Sequence, residues 1–147
     1  MAHVLTDNEE KYQQFVDAVN DLHSDWLQMI YQYWLADRDI KKQDYTPKTI
    51  AKLVSRLALQ KTNEAIVDIC AGSGALVIQS WSIAPETKFE CTELDENVLP
   101  ILLFNLAVRN ISAVVKHGDA LSGECFETYK IEKREKYGKV EKVENCN

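Results

Sequence analysis

A short apolar run that ends in a glycine-containing turn constrains the fold of this chain more than any other feature. Residues 65–70 (AIVDIC) are apolar apart from Asp68, and residues 71–74 (AGSG) follow them at once. A continuous apolar run of this length is typical of a strand buried on both faces of a parallel sheet. The hydrophobic period then becomes helical over residues 75–81. This segment therefore predicts a buried strand, a tight turn and a helix, in that order.

The same alternation continues along the chain after this first unit. Residues 88–93 and 112–117 predict a second and a third strand, and residues 95–110 predict the helix between them. Strand, helix, strand, helix, strand is half of a doubly wound sheet, whose connections are right-handed. The predicted fold class is therefore α/β: a shortened, Rossmann-like fold with three parallel strands.

The first 40 residues predict a separate helical segment. Apolar residues recur at steps of three and four between Tyr12 and Trp34, which predicts one long amphipathic helix, or two helices separated by a bend. Residues 1–40 hold eight acids and two bases, so the net charge of −6 arises there. Such a surface repels phosphates and is a poor candidate for contact with nucleic acid. We expect this segment to pack across one face of the sheet.

Two further local patterns complete the domain that we expect over residues 41–147. Thr46 and Pro47 predict the start of a helix, with Thr46 as its N-cap and Pro47 as its first residue. Residues 127–144 alternate apolar and charged side chains around Gly138, which predicts a C-terminal β-hairpin. Three strands alone would leave the first strand with an unpaired edge. We therefore expect the hairpin, or a second chain, to pair with that edge.

Cysteine usage and hydropathy bear on the setting of the protein. The four cysteines form no C-x-x-C pair, and the three histidines lie far from them in the sequence, so no metal site is predicted. Cysteines of this kind suit a reducing compartment, and no window approaches the roughly 20 apolar residues of a membrane helix. With no export signal at the N-terminus, we expect a cytoplasmic protein without a membrane partner.

Three features that carry chemistry follow the three predicted strands. Asp68 leads into the glycine turn, Glu93 ends the second strand, and Asp119 follows the third. Open α/β sheets bind ligands at the carboxyl ends of their strands, where a carboxylate can accept hydrogen bonds from ribose hydroxyls or an adenine amine. Val77 stands where the third glycine of a dinucleotide-binding turn would be, which argues against that ligand. The combination predicts an adenosine pocket.

At this point the sequence resembles a known family. Residues 44–51 (DYTPKTIA), 67–76 (VDICAGSGAL), 92–95 (TELD) and 117–121 (HGDAL) look like the cofactor region of N6-adenine DNA methyltransferases, in the same order. The resemblance covers residues 42–122 and is nearest to modification subunits of type I restriction systems and to phage-encoded methylases. It implies the methyltransferase form of the fold and S-adenosyl-L-methionine (SAM) as the cofactor.

Carried over position by position, the resemblance implies a set of cofactor-binding residues: Tyr45, Thr46, Pro47, Asp68, Ala71, Gly72, Ser73, Gly74, Glu93, Leu94, Asp119 and Ala120. The first three would line the methionine end of SAM. Asp68 and the turn after it would hold the amino and carboxylate groups. Glu93 would take the ribose, Leu94 would pack on the adenine ring, and Asp119 would meet the adenine amine.

The sequence departs from the family where the substrate should bind. The family has an Asn/Asp-Pro-Pro-Tyr/Phe element that grips the extruded adenine, whereas the only prolines here are Pro47, Pro85 and Pro100. There is also no target-recognition region and no basic stripe for phosphates, so DNA is implied by the resemblance alone. No catalytic residue is assigned. We therefore expect a SAM-binding domain that is catalytically incomplete alone and acts as a homodimer or with a complementing methylase or specificity subunit.

Three other functions remain compatible with the residues. The chain could be a complete small SAM-dependent methyltransferase with a non-standard acceptor site drawn from its C-terminal hairpin. It could instead be a non-catalytic interaction module on a methyltransferase scaffold, using the acidic aromatic helix for a partner. A nicotinamide-dependent dehydrogenase is the least favoured, because of Val77 and the resemblance.

Overall fold

A computed structural model describes residues 9–34, 46–60 and 65–143. These ranges contain five helices and five strands, in the chain order α1 (Glu9–Ala18), α2 (Trp26–Trp34), α3 (Lys48–Leu59), β1 (Ile66–Asp68), α4 (Ala75–Ile83), β2 (Phe89–Glu93), α5 (Leu99–Val108), β3 (Ala113–Asp119), β4 (Glu124–Glu132) and β5 (Lys139–Val143). None of the helices in these ranges has both the length and the apolarity needed to cross a bilayer.

The strands form one mixed sheet in the order β1-β2-β3-β4-β5. The pairs β1–β2 and β2–β3 are parallel, while β3–β4 and β4–β5 are antiparallel. The predicted α/β class, with three parallel strands and a C-terminal hairpin, is therefore confirmed. The arrangement is consistent with a methyltransferase-like fold. Because β4 begins at Glu124, the hairpin starts earlier than the predicted residue 127.

The position of the hairpin in the sheet differs from the prediction. It does not pair with β1: β4 pairs with β3, and β1 ends the sheet of the described residues. Only residues 120–123 separate β3 from β4, and so short a connection makes consecutive antiparallel strands neighbours. The close approach requires a glycine at 118, because a Cβ there would lie 2.3 Å from the carbonyl oxygen of Glu124.

The helices α4 and α5 cover one face of the sheet. Residues paired across the strands form a row on that face: Ile66, Phe89, Ala113, Ile131 and Val140, of which the last four are buried. On the opposite face Val67 is 61% exposed, and its neighbours Glu90 and Lys130 are also exposed. The prediction that the first strand is buried on both faces is therefore wrong. Since β1, β2 and β3 are adjacent in chain order, right-handed connections place both helices on the same side.

The core lies between this covered face and helix α5. Leu102, Leu103 and Leu106 of α5 are fully buried, together with Val77 and Ile78 of α4. Burying a leucine side chain contributes roughly 1.5–3 kcal/mol, so α5 is a major source of stability. Its sequence is apolar all round because the sheet covers one side and the N-terminal segment packs against it from another.

Over residues 9–34, the N-terminal segment forms two helices rather than one, as the second of the two predicted arrangements had it. Residues 19–25 separate α1 from α2. The buried ring of Tyr12 lies 5.2 Å, between centroids, from the rings of Phe104 in α5 and Tyr137 in the β4–β5 connection. This aromatic cluster holds α1 against both the helical layer and the hairpin.

Helix α3 begins one residue later than predicted. Its N-cap is Pro47 with φ −57° and ψ 143°, rather than Thr46, and no side chain caps the helix. The Pro47 carbonyl accepts the first helical hydrogen bond from the Ala51 amide, at 2.9 Å. The Pro47 ψ is extended, so helical geometry starts at Lys48.

Candidate functional site

Residues 71–74 form a tight turn between β1 and α4. The Ala71 amide donates to the Thr92 carbonyl at 2.9 Å, which fixes the turn to the end of β2. Gly72 and Gly74 have φ values of 57° and 95°, in the left-handed region where side chains are unfavourable. A Cβ on Gly74 would also lie 3.0 Å from the Leu102 side chain. Backbone conformation therefore favours glycine at both positions, and contact with Leu102 adds to that preference at Gly74.

Glu93 joins the turn to the chain after β2. Its Oε2 accepts a hydrogen bond from the Gly72 amide at 2.8 Å, and its Oε1 accepts one from the Asp95 amide at 2.7 Å. A carboxylate oxygen can accept two hydrogen bonds, so both oxygens retain capacity for hydroxyl donors. Sequence reasoning placed Glu93 near the turn but did not foresee that it organises the backbone there.

Asp68 ends β1 directly before the turn, and its two carboxylate oxygens differ in their hydrogen bonding. Oδ1 accepts a long hydrogen bond of 3.3 Å from the Cys70 amide. Oδ2 is buried and has no hydrogen-bond partner among the described residues. Burial raises the pKa of the Asp68 carboxyl above its ordinary value. A buried polar atom left unsatisfied costs about 1–3 kcal/mol, so this oxygen favours a donor from a ligand.

Asp119 ends β3 and organises the turn that follows it. Its Oδ1 accepts a hydrogen bond from the Leu121 amide at 2.8 Å, and its carbonyl accepts one from the Gly123 amide, also at 2.8 Å. The hydrogen bonds from Leu121 and Ser122 hold the pKa of the Asp119 carboxyl below its ordinary value. The side chain is therefore an ionised acceptor whose orientation is already set.

The strand register brings the three carboxylates to the end of the sheet at which β1, β2 and β3 finish. Asp68 pairs with Cys91, two residues before Glu93, and Glu93 pairs with His117, two residues before Asp119. The carboxyl ends of parallel strands meet there, as the sequence predicted.

The remaining predicted residues that the structure describes lie directly after β2 and β3 or before α3, and none of them is buried. Leu94 is 58% exposed, and Ala120 is exposed as well. Thr46 is half-buried and Pro47 exposed, both just before α3, whereas Tyr45 lies outside the described residues.

Two side chains near these strand ends were not foreseen from the sequence. The His117 Nε2 lies 3.2 Å from the Leu94 carbonyl oxygen, and the His117 ring packs edge-on against Phe126 at 5.2 Å between centroids. Asp25 of the N-terminal segment accepts a hydrogen bond of 2.6 Å from the Ser73 hydroxyl inside the glycine turn. His117 directly precedes the predicted Gly118-Asp119 pair, but nothing local in the sequence pairs Asp25 with Ser73.

Comparison with known proteins gives one family and one relative. The family described as N-6 DNA Methylase matches residues 6–142. The "Type I restriction enzyme MjaVIII methylase subunit" of Methanocaldococcus jannaschii is 27% identical over 135 residues. The alignment covers 88% of this chain and 23% of that relative, so the chain spans about a quarter of the relative's length. No solved structure shows significant similarity.

Proposed function

This chain belongs to the N-6 DNA methylase family, and on that basis we propose that it binds SAM where β1, β2 and β3 end. It would form the cofactor-binding part of an adenine-N6 DNA methyltransferase of a restriction-modification system. We further propose that these 147 residues are catalytically incomplete alone. The relative is a methylase subunit of a type I system, which favours action as one subunit of an assembly.

The buried Oδ2 of Asp68 is the observation that carries this proposal. It lacks a donor among the described residues and lies directly before the glycine turn. SAM carries an ammonium group on its methionine moiety, and an ammonium donor would satisfy this oxygen with a charge-assisted hydrogen bond. The first amides of α4 have no partner within the helix and favour an anion, which suits the carboxylate of the same moiety.

The other two carboxylates suit the nucleoside end of SAM. Both oxygens of Glu93 keep acceptor capacity for ribose hydroxyls, since each uses one lone pair on a backbone amide. Asp119 is held ionised and can accept from an adenine amine. The exposed Leu94 side chain lies between them in the sequence and offers an apolar surface for the adenine ring. When bound, SAM supplies an activated methyl group, and these residues orient it.

The element that presents an adenine base lies, in this proposal, outside these residues. No Asn/Asp-Pro-Pro-aromatic element occurs among the 147 residues. Among the described residues β1 ends the sheet, and the apolar side chains of Val67 in β1 and of Ile69 just after it are 61% and 59% exposed. Unpaired strand edges readily accept another strand. We therefore place a complementing methylase chain along β1, with a second copy of this chain as the alternative partner.

Calorimetric titration with SAM and with its demethylated product, S-adenosylhomocysteine, tests the cofactor site. We expect saturable binding by the wild type and a loss of at least about tenfold in affinity for Glu93→Gln, since a hydrogen bond from a ribose hydroxyl to an ionised carboxylate is worth about 1.5–3 kcal/mol. Glu90→Gln is the matched control, because Glu90 lies exposed on the same strand. A folded wild type that binds neither compound would refute the proposal and favour an interaction module.

Transfer of a labelled methyl group to DNA tests incompleteness. We expect no transfer by the purified chain alone. Transfer without any partner would show that the acceptor site is complete. Transfer only to non-DNA acceptors would favour the small methyltransferase with a non-standard site.

A further inference from the structure

The N-terminal segment reaches the glycine turn through one side chain, Asp25, in the connection between α1 and α2. Its Oδ2 accepts a hydrogen bond from the Ser73 hydroxyl at 2.6 Å. Its Oδ1 accepts one from the Asn105 side-chain amide at 2.9 Å and one from the Gln28 amide at 3.0 Å. Asn105 in turn donates to the Ser73 carbonyl at 2.8 Å. Both the side chain and the backbone of Ser73 are thereby fixed from outside the turn.

The connection that carries Asp25 is itself held by buried groups of the α/β layer. Arg109, 3% exposed, donates from Nε to the Leu22 carbonyl at 2.6 Å and from Nη2 to the Ser24 carbonyl at 2.9 Å. Gln79 of α4 donates to the His23 carbonyl at 2.6 Å. Three consecutive residues before Asp25 therefore bind α4 and the C-cap of α5. Hydrogen bonds to buried side chains therefore make this connection an integral part of the domain.

The turn needs such support because of its composition. Ser73 lies between Gly72 and Gly74, and glycine loses more conformational entropy on ordering than any other residue. The side-chain hydroxyl of Ser73 is the only hydroxyl in the turn, and Asp25 accepts its hydrogen bond in the buried interior. Removing that acceptor would leave a buried hydroxyl unsatisfied and the two glycines free to sample other conformations.

We propose that Asp25 is a positioning residue for the ligand turn, and that through Ser73 it couples ligand binding to the seating of the N-terminal helices. The identity of the ligand rests on the proposed function, but the coupling itself does not. Because coupling between two sites is reciprocal, a ligand that orders the turn must strengthen the attachment of residues 19–25 by the same free energy. The acidic N-terminal segment is thus part of the ligand site's framework.

Hydrogen exchange with and without SAM tests the coupling, on the wild type and on Ser73→Ala. Ser73→Ala removes the hydroxyl yet leaves Asp25 its bonds from Asn105 and Gln28, so the variant should fold. We expect faster amide exchange in both residues 71–74 and residues 19–25 of the ligand-free variant, and affinity for SAM lowered about tenfold. In the wild type SAM should slow exchange in residues 19–25, and in the variant that protection should fall. Asp17→Asn, an exposed change on α1, is the control.

The readouts separate this inference from the proposed function. If the wild type does not bind SAM but Ser73→Ala still speeds exchange in residues 19–25, the proposed ligand is wrong, while the positioning of the turn by Asp25 through Ser73 stands. If exchange in residues 19–25 is unchanged by Ser73→Ala, or if SAM protects residues 71–74 of the wild type without protecting residues 19–25, the coupling is refuted. Asp25→Asn, which removes one acceptor while keeping the size, should repeat the effects of Ser73→Ala.

Discussion

Replacing Asp68 by asparagine should stabilise the ligand-free protein while weakening the binding of SAM. The substitution keeps the shape of the side chain and removes its charge. In the wild type that charge is poorly compensated: Oδ1 has one hydrogen bond of 3.3 Å, and Oδ2 has no partner among the described residues. A functional site that keeps an uncompensated charge sacrifices stability for binding, so the two effects of one substitution should have opposite signs.

The direction of the pKa shift sets the pH dependence. Burial raises the pKa of Asp68 above its ordinary value of 3.8. The folded state therefore binds this proton more tightly than the unfolded state. The associated stability is fully present below about pH 3.8 and is lost as the pH rises through the folded-state pKa. The Asp68→Asn variant has no carboxyl to titrate at this position, so it should have the higher unfolding free energy at pH 7. The difference in unfolding free energy from the wild type should shrink as the pH falls toward 3.8.

The magnitudes follow from the bonds that the structure shows. Removing a buried, unsatisfied charged oxygen should raise the unfolding free energy at pH 7 by about 1 kcal/mol. Losing the charge-assisted bond to the ligand ammonium should weaken SAM binding by about 2 kcal/mol, or roughly 30-fold in Kd. Urea denaturation gives the first quantity and calorimetric titration the second. Asp17→Asn, exposed on α1, should change neither. A variant that is less stable and binds SAM as well as the wild type would refute the reasoning.

Two packing predictions concern the frame of the site. Gly118→Ala should lower the unfolding free energy by about 2–3 kcal/mol in urea denaturation, because its Cβ would lie 2.3 Å from the Glu124 carbonyl oxygen and β4 would have to move. Leu121→Ser, at a side chain 96% exposed, should leave it unchanged, and equal effects of the two substitutions would contradict this explanation. Tyr12→Ala should cost about 3–5 kcal/mol, as expected for a large aromatic residue that is 2% exposed. The matched change Tyr33→Ala, at 79% exposure, should cost less than about 0.5 kcal/mol, and a similar loss in both would argue against the aromatic cluster as the anchor of α1.

The elements of the fold were predictable from local patterns, whereas the order of the sheet was only partly so. The strand at residues 65–70 and the turn after it are encoded within ten residues, and the structure has both. The prediction that the hairpin pairs with the first strand is wrong, because it considered only the need to cover an unpaired edge. The four residues between β3 and β4 were the better guide, since so short a connection makes β4 the antiparallel neighbour of β3.

The site was predictable to the extent that it depends on strand ends. Asp68, Glu93 and Asp119 could be placed together because each ends a strand of one parallel set. The bond from Ser73 to Asp25 could not be predicted, since 48 residues separate them and no periodic pattern connects a loop acid with a turn hydroxyl. Contacts of this kind depend on how α1 and α2 pack on α5, which is a tertiary property.

The three carboxylates are not equivalent as evidence for a ligand. Glu93 and Asp119 each accept backbone amide hydrogen bonds that shape their own loops, so a purely structural role would account for both. Asp68 differs, because one oxygen is buried without a donor from the part of the chain that the structure describes, and the other has a 3.3 Å bond. A scaffold that served only as an interaction surface would gain stability from a neutral residue at this position. The choice between a cofactor site and an interaction module therefore depends most directly on Asp68, and the opposed effects of Asp68→Asn on stability and binding distinguish the two.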